Sequence, residues 1–188
     1  MSEELFDIVD DLGNPTGRTA TRSLAHAEGL RHRTAHIWVV RHTPQGPEVL
    51  LQKRSDNKDS FPGQWDTSSA GHIHAGDEVL PSALRELEEE LGITARPEDL
   101  KPAGTFEIQY DRVFHGKVFR DNEISFVFVY DLPVDLSALR LQEEEVSEVR
   151  FFPIDWVKNA CQHRDGTVCV PTGGLETVCR WLDTHPNG

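Results

Sequence analysis

The stretch "ALRELEEELGI" (Ala83–Ile93) places four glutamates within five consecutive positions and spaces its leucines as a helix does. On a helix Glu86, Glu89 and Glu90 lie on one side, because residues three and four apart are surface neighbours. Like charges at this spacing repel by roughly 0.2–0.5 kcal/mol per pair. Taken alone, such an acidic run is most often a solvated helix face, so the residues around it decide what it does.

One apolar stripe supports the helix and consists of Leu80, Ala83, Leu84, Leu87 and Leu91. Asp77 is predicted to cap the helix start, Pro81 is tolerated in the first turn, and Gly92 suits the end.

The remainder of the chain is mostly strand-like. "FDIVDDLGNPTGRTATR" predicts an N-terminal hairpin at about residues 4–22, and "TAHIWVVRH" and "EVLLQKRS" predict a second hairpin. Between the hairpins, "SLAHAEGLRHR" is predicted to be irregular or a short helical turn. The long segment Asp56–Asp77 is predicted to be a functional loop.

Three later runs, "GTFEIQYDRVF", "EISFVFVYDL" and "SEVRFFPI", predict strands, and "PTGGLETVCRWLDTH" predicts a closing helix. Strands therefore dominate, with two main helices. The predicted fold class is α+β with a mixed sheet.

Composition limits the functions that the chain can have. Its 188 residues suit one domain over 1–188, and 37% hydrophobic with 27% charged residues indicates a globular protein. The net charge of −13 disfavours nucleic acid and anionic membranes as partners. A small phosphorylated ligand that carries its own cation remains compatible with this charge.

The cysteines and the N-terminal sequence indicate the cellular compartment in which the protein is expected to work. The three cysteines, Cys161, Cys169 and Cys179, form no C-x-x-C pair, which favours a reducing cytoplasm over a disulfide framework. The acidic start "MSEELFDIVDD" has no signal-peptide pattern, and no run approaches the ~18 apolar residues of a membrane span.

The acidic helix lies within a longer spaced motif at residues 71–93. This motif resembles the Nudix box, G-x5-E-x7-R-E-U-x-E-E-x-G-U, in which U is a bulky aliphatic residue. One position departs from it, since Asp77 stands where the family has Glu. The matching residues are Gly71, Arg85, Glu86, Leu87, Glu89, Glu90, Gly92 and Ile93.

This resemblance implies a Nudix fold, in which a mixed sheet is sandwiched between helices, and a site for Mg²⁺ or Mn²⁺. Hard cations prefer carboxylate oxygens, and a bound ion relieves the repulsion between the glutamates. By position, Glu86 and Glu90 are the metal-ligand candidates, Glu89 is a further ligand or base, and Gly71 offers a carbonyl or a tight turn. Arg85 is expected to orient Glu89, its i+4 neighbour.

A second resemblance narrows the subgroup. "LLQKRSDNKDSFPGQWDTSSAGHIHAGD" is similar to type I isopentenyl diphosphate isomerases and their closest hydrolases. This similarity makes Lys53 and Arg54 candidate phosphate contacts. Trp65 and Phe61 are candidates for stacking on a base, although an aromatic residue near Pro-Gly is more often a loop anchor in the core. The similarity also makes His32, His72 and Glu123 candidates for a second metal site.

This chain differs from the isomerases at one position that matters for catalysis of isomerisation. The isomerases have a catalytic cysteine immediately before the Gly-His that reads Gly71-His72 here, whereas this chain has Ala70. No cysteine precedes Cys161, so the thiol chemistry of isomerisation has no obvious donor, and hydrolysis is favoured.

The function expected from the sequence is metal-dependent hydrolysis of a phosphoanhydride bond in a nucleoside diphosphate linked to another group. Isopentenyl diphosphate isomerisation is the alternative, and a non-catalytic nucleotide-binding protein is the third option. The sequence leaves open whether the chain is a monomer or a homodimer, and whether Glu143–Glu145 supplies a general base.

Overall fold

The computed structural model describes residues 3–58, 60–163 and 166–186. Nine strands and four α-helices are found in these ranges. The strands are β1 (Leu5–Val9), β2 (Pro15–Thr21), β3 (His32–Thr43), β4 (Gly46–Arg54), β5 (Trp65–Asp66), β6 (Ser69–His72), β7 (Lys101–Phe114), β8 (Lys117–Tyr130) and β9 (Val146–Pro153). The helices are α1 (Arg22–Glu28), α2 (Val79–Leu91), α3 (Ile154–His163) and α4 (Thr172–Thr184). Within the described ranges, no helix is long and apolar enough to cross a membrane.

The main sheet is mixed and is organised around the long strand β3. Its path runs β5-β4-β3-β8-β7, with β6 also paired to β3 and β9 paired to β4. The β3–β8 pairing is parallel, and the other pairings are antiparallel. The two strands β1 and β2 form a separate antiparallel hairpin.

Alternating residues of β3 supply two different cores, because successive strand side chains point to opposite faces. On one face Ala35, Ile37 and Val39 pack with the apolar stripe of α2. On the other face Trp38 and Val40 pack with α3 and α4. The sheet therefore lies between helices, as predicted.

Several segments contain more regular structure than the sequence predicted. The segment "SLAHAEGLRHR" contains the regular helix α1, which Thr21 caps by accepting a hydrogen bond from Leu24 N at 3.3 Å. A third long helix, α3, follows β9 directly, and the predicted loop contains the short strands β5 and β6. Short strands of four residues or fewer carry too little periodicity to be read from sequence.

The predicted cap at Asp77 was wrong. The α2 N-cap is Glu78, whose side chain makes no capping hydrogen bond. The Asp77 carboxylate instead lies 3.7 Å from His74 Nδ1, and its carbonyl oxygen accepts a hydrogen bond from Arg33 Nη2 at 3.3 Å.

Gly92 ends α2 as predicted, in the left-handed conformation with φ of 71°. An added Cβ there would lie 2.9 Å from Arg140 Cβ and 3.0 Å from the Arg140 backbone nitrogen. Gly116 has a similar φ of 75° with nothing within 4 Å of the added atom.

We expect Gly116→Ala to cost about 1–2 kcal/mol from backbone strain alone, and Gly92→Ala to cost about 1–3 kcal/mol more from crowding. Urea unfolding measures both, and equal losses would show that Arg140 moves aside freely.

Candidate active site

The glutamates of α2 differ in their burial. Glu90 is only 5% exposed, and its Oε2 accepts hydrogen bonds from Ala70 N at 3.1 Å and Gln52 Nε2 at 3.3 Å. Glu86 lies directly against Gly71, where an added Cβ would fall 2.1 Å from Glu86 Cδ. Glycine at position 71 therefore makes room for the Glu86 carboxylate beside β6.

Arg85 connects the largely buried Glu86, whose side chain is 13% exposed, with the exposed Glu89. Its Nη1 lies 2.8 Å from Glu86 Oε1 and 3.1 Å from Glu89 Oε2. Its Nη2 donates to the His72 carbonyl oxygen at 3.4 Å. Glu89 is 53% exposed by side chain, so it lies at the rim, while Glu86 and Glu90 form a buried carboxylate pair.

A second cluster consists of His26, His32, His72 and Glu123, whose ligand atoms all lie within 4.8 Å of one another. The parallel β3–β8 register places His32 opposite Glu123. Glu123 Oε1 lies 3.6 Å from His32 Nε2 and 3.5 Å from His72 Nε2. The buried Nε2 atoms of all three histidines have no hydrogen-bond partner among the described residues.

The tautomers of two of these histidines follow from their backbone contacts. His26 Nδ1 lies 2.9 Å from the Arg22 carbonyl oxygen, and His32 Nδ1 lies 2.9 Å from the Leu30 carbonyl oxygen. Because a carbonyl oxygen only accepts, each Nδ1 must donate its proton. Each neutral ring therefore presents an unprotonated Nε2 to the cluster, which is the form that binds a metal.

The N-terminal hairpin and the sheet hold this cluster in place. The ring of Phe6 stacks on His32 at a centroid distance of 4.9 Å and on His72 at 4.6 Å. Glu123 Oε2 accepts a hydrogen bond from Thr34 Oγ1 at 3.1 Å, and Thr34 Oγ1 lies 2.8 Å from Ser125 Oγ. Asp121 Oδ1 lies nearby, 3.8 Å from His26 Nε2.

One cavity of about 750 Å³ joins the α2 glutamates, the histidine cluster and several basic side chains. Arg54 lies in its wall, ion-paired to Asp66 at 3.0 Å and donating to the Ser60 carbonyl oxygen at 2.9 Å. Lys58 is ion-paired to Glu145. The basic residues of the lining are Arg22, Arg54, Lys58, Arg85 and Arg112.

Comparison with known proteins identifies the family. The profile described as the NUDIX domain matches residues 30–171. The chain belongs to the Nudix family. It is 36% identical over 146 residues to an uncharacterized Nudix hydrolase of Clostridium acetobutylicum, covering 78% of this chain and 68% of the relative. It is 34% identical over 160 residues to the uncharacterized Nudix hydrolase YfcD of Escherichia coli K12, covering 85% of this chain and 79% of that relative.

A longer relative and two solved structures extend the comparison. The chain is 43% identical over 167 residues to Nudix hydrolase 3 of Arabidopsis thaliana, covering 88% of this chain but 21%, about a fifth, of that relative. DR0079 of Deinococcus radiodurans gives a TM-score of 0.63 at 17% identity, covering 85% of this chain and 90% of that one. The Nudix domain of Shewanella oneidensis NrtR, solved with ADP-ribose, gives a TM-score of 0.58 at 15% identity. That match covers 87% of this chain and 99% of the NrtR domain. These two structures share the Nudix fold.

Some residues predicted from the sequence lie at the Nudix cavity and some do not. The lining contains Gly71, Arg85, Glu86, Glu89, Glu90, Arg54, His72 and Glu123, and His32 belongs to the histidine cluster. Lys53 is absent from the lining. Trp65 is 8% exposed and packs in the core against Phe152, which matches the core-anchor interpretation and not substrate stacking.

Sequence reasoning missed His26 and Asp121. His26 lies in α1, which was not predicted as a helix, and Asp121 precedes Glu123 by two residues on the same strand face. The spacing His26-x5-His32 and the pair Asp121-x-Glu123 were the available signals. Of the run Glu143–Glu145, only Glu145 lines the cavity.

Burial changes the protonation of the buried carboxylates. Burial first, and then the charge of Glu86, raises the pKa of Glu90 to about 8. Burial also raises the pKa of Glu86, although Arg85 opposes the rise. At Glu123 burial acts in the same direction, but contacts with His32 and His72 outweigh it and lower the pKa. The metal-free protein therefore holds Glu90 largely protonated below about pH 8.

The raised pKa of Glu90 predicts a pH dependence of metal-free stability. Between the ordinary value of 4.5 and about 8, the folded protein binds more protons than the unfolded chain. Its free energy of unfolding therefore falls as pH rises, by at most about 1.4 kcal/mol per pH unit. In EDTA, we expect Glu90→Gln to gain stability relative to wild type as pH rises through this window. The control is Glu88→Gln on the exposed side of α2, and equal pH slopes for Glu90→Gln and wild type would contradict the assignment.

Proposed function

We propose that this Nudix protein is a Mg²⁺- or Mn²⁺-dependent hydrolase that cleaves a phosphoanhydride bond in a nucleoside diphosphate linked to another group. The observation that carries this proposal is the buried carboxylate pair, Glu86 and Glu90, beside Gly71 at a cavity with basic walls. Two like charges buried side by side are costly unless a cation or a proton compensates them. A diphosphate ligand needs both a cation and basic side chains, and this cavity offers sites for both.

The donors present fit a hard divalent cation. Glu86, Glu90, the rim residue Glu89 and the carbonyl oxygen of Gly71 would hold it, since all offer oxygen ligands. When bound, such a cation neutralises charge on phosphate oxygens and makes a water molecule more acidic.

The protein's own residues orient the substrate and manage the proton. Arg54, already held by Asp66 and Ser60, presents a fixed guanidinium that suits bidentate contact with phosphate. Arg22 and Lys58 line the same cavity. Glu89 is the most exposed of the motif carboxylates, and among the described residues its ion-pair partner is Arg85, so it is our candidate for accepting the proton of the attacking water.

We further propose that His26, His32, His72 and Glu123 hold a second divalent cation. The three unpartnered Nε2 atoms and the compensating carboxylate match the imidazole and oxygen ligands of transition metals.

The NrtR domain was solved with ADP-ribose, which is a nucleoside diphosphate linked to a sugar, and that ligand belongs in the first substrate screen. We also propose that the chain forms one domain, with the β1–β2 hairpin added to the Nudix core, and that it works in the cytoplasm.

The isomerase alternative is disfavoured by the position of the thiols. Ala70 lies opposite His36 at the cavity, where it offers no exchangeable proton. Cys161 and Cys169 do line the cavity, but burial raises the pKa of both thiols, which makes them poor thiolates.

Removing one carboxylate charge tests the hydrolase proposal. We expect Glu86→Gln and Glu90→Gln each to lower kcat by roughly 10²–10⁴ while preserving the fold. Glu88→Gln is the matched control, because Glu88 lies on the same helix at the surface, where its side chain accepts a hydrogen bond from Thr94 Oγ1. The assay measures release of phosphate or nucleoside monophosphate from a panel of nucleotide sugars, dinucleotides, nucleoside di- and triphosphates, and prenyl diphosphates with Mg²⁺ or Mn²⁺.

Three outcomes of that panel would contradict the proposal. Wild-type rates in both variants would remove the α2 glutamates from the chemistry. Interconversion of isopentenyl and dimethylallyl diphosphates above a no-enzyme control would support the isomerase. Binding of nucleotides without any turnover would support a non-catalytic binding protein.

The second cation site is tested by metal content. We expect wild-type protein dialysed against Mn²⁺ or Zn²⁺ to retain an ion that Glu123→Gln loses, with affinity falling at least roughly tenfold. His74→Ala is the control, because His74 is partly exposed and contacts Glu4 outside the cluster. Equal metal content in all three proteins, measured by inductively coupled plasma spectrometry, would exclude this site.

A further inference from the structure

Part of the lining of the Nudix cavity belongs to neither cation site. We call this part the inner chamber, and its residues include His36, Phe106, Val170, Pro171, Thr172 and Gly173. Ala70 links it to the acidic helix, because its N–H donates to Glu90 and it lies opposite His36 in the β3–β6 register.

The N-terminus of α4 forms one wall of the inner chamber. Its N-cap, Pro171, provides no side-chain cap. The first backbone hydrogen bond of the helix joins Leu175 N to the Pro171 carbonyl oxygen. The N–H groups of Thr172, Gly173 and Gly174 therefore precede that bond and have no intrahelical acceptor. Together with the helix dipole, such groups attract negative charge.

The two glycines allow the backbone to approach the sheet closely. A Cβ added to Gly173 would lie 2.9 Å from Phe106, and one added to Gly174 would lie 3.1 Å from it. Phe106 in turn meets the His36 ring edge-on at a centroid distance of 5.2 Å. Phe106 thus connects the helix terminus to His36.

His36 points independently to a ligand. The residue is 5% exposed, and its Nδ1 is buried without a hydrogen-bond partner among the described residues. Buried polar atoms are normally hydrogen-bonded, so an orphaned ring nitrogen beside a cavity requires an explanation. Burial lowers the pKa of His36, and a neutral ring retains one N–H donor.

We propose that the inner chamber binds an anionic oxygen group, a phosphate or a carboxylate, on the part of the substrate beyond the scissile diphosphate. The α4 amides, the Thr172 hydroxyl and the His36 ring are its donors. Asp66 also lines the cavity, but its charge is balanced by Arg54 at 3.0 Å. This inference rests on the proposed hydrolase function, because it assigns the specificity of the same site.

Binding of inorganic phosphate tests the chamber without any turnover. In EDTA, phosphate should shift the amide NMR signals of Gly173 and Gly174 and leave that of Gly46, in the β3–β4 turn, unchanged. Thr172→Asp places a negative charge at the helix start, where it favours the helix but repels an anion. We expect it to weaken phosphate binding at Gly173 by about tenfold or more, whereas the neutral control Thr172→Asn should retain most of it. Shifts at Gly71 alone would place the ion among the basic residues of the diphosphate end and overturn the proposal.

Matched substrates test the same site in turnover. NADPH differs from NADH, and UDP-glucuronate from UDP-glucose, by one anionic group away from the diphosphate. If wild type hydrolyses the anionic member of a pair with the higher kcat/KM, we divide that value by the kcat/KM of the neutral member. His36→Leu should lower this ratio by about tenfold. An unchanged ratio would refute the chamber while leaving the hydrolase proposal intact. If no nucleotide is hydrolysed but phosphate still shifts Gly173, the anion site stands and the proposed function fails.

Discussion

The structure depends on the burial of two α2 carboxylates against the backbone of β6. Helix α2 must pack its leucine stripe on the sheet, and this packing brings Glu86 and Glu90 to the edge strand that ends at Gly71 and His72. A side chain at position 71 would collide with Glu86, and Ala70 N is needed to bind Glu90. The same contact that completes the core therefore brings two carboxyl groups together in the lining of the cavity. The basic residues and histidines of the lining surround these carboxyl groups.

Long sequence patterns predicted their part of this arrangement, whereas short ones did not. The α2 stripe and the Gly71–Ile93 spacing extend over many residues, so the helix, its C-terminal glycine and the carboxylate set could be predicted. The N-cap could not, because Asp is a preferred N-cap residue and Glu is not, yet Asp77 contacts His74 and Arg33 and the helix begins after Glu78. The sequence left the role of Trp65 open between substrate stacking and anchoring in the core, because "FPGQW" gives no indication of which strand face the ring occupies. Only the pairing of β5 with β4 turns it into the core.

The histidine cluster shows why long-range pairing limits such predictions. Its members come from α1, β3, β6 and β8, and the parallel β3–β8 register decides that His32 meets Glu123. Sequence patterns do not specify register between strands separated by some ninety positions, and neither do they reveal that Phe6 of the N-terminal hairpin stacks on two of the rings. The matched family profile begins at residue 30, so this hairpin lies outside the common Nudix core while it supports part of the candidate site. The hairpin therefore contributes to the candidate site through the ring of Phe6.

The distribution of unsatisfied polar atoms relates stability to function in this protein. Buried side-chain nitrogens and oxygens without partners cost free energy, commonly about 1–3 kcal/mol each. Within the described residues they include atoms of His26, His36, His72 and Asp121, all of which line the same cavity. A fold selected only for stability would replace such groups with apolar side chains of similar size. Four of the ten such atoms found within the described residues belong to side chains that line this cavity, beside two carboxylates with raised pKa values. The proposed cations and phosphorylated substrate would together supply positive charge at the glutamates and partners for the histidines.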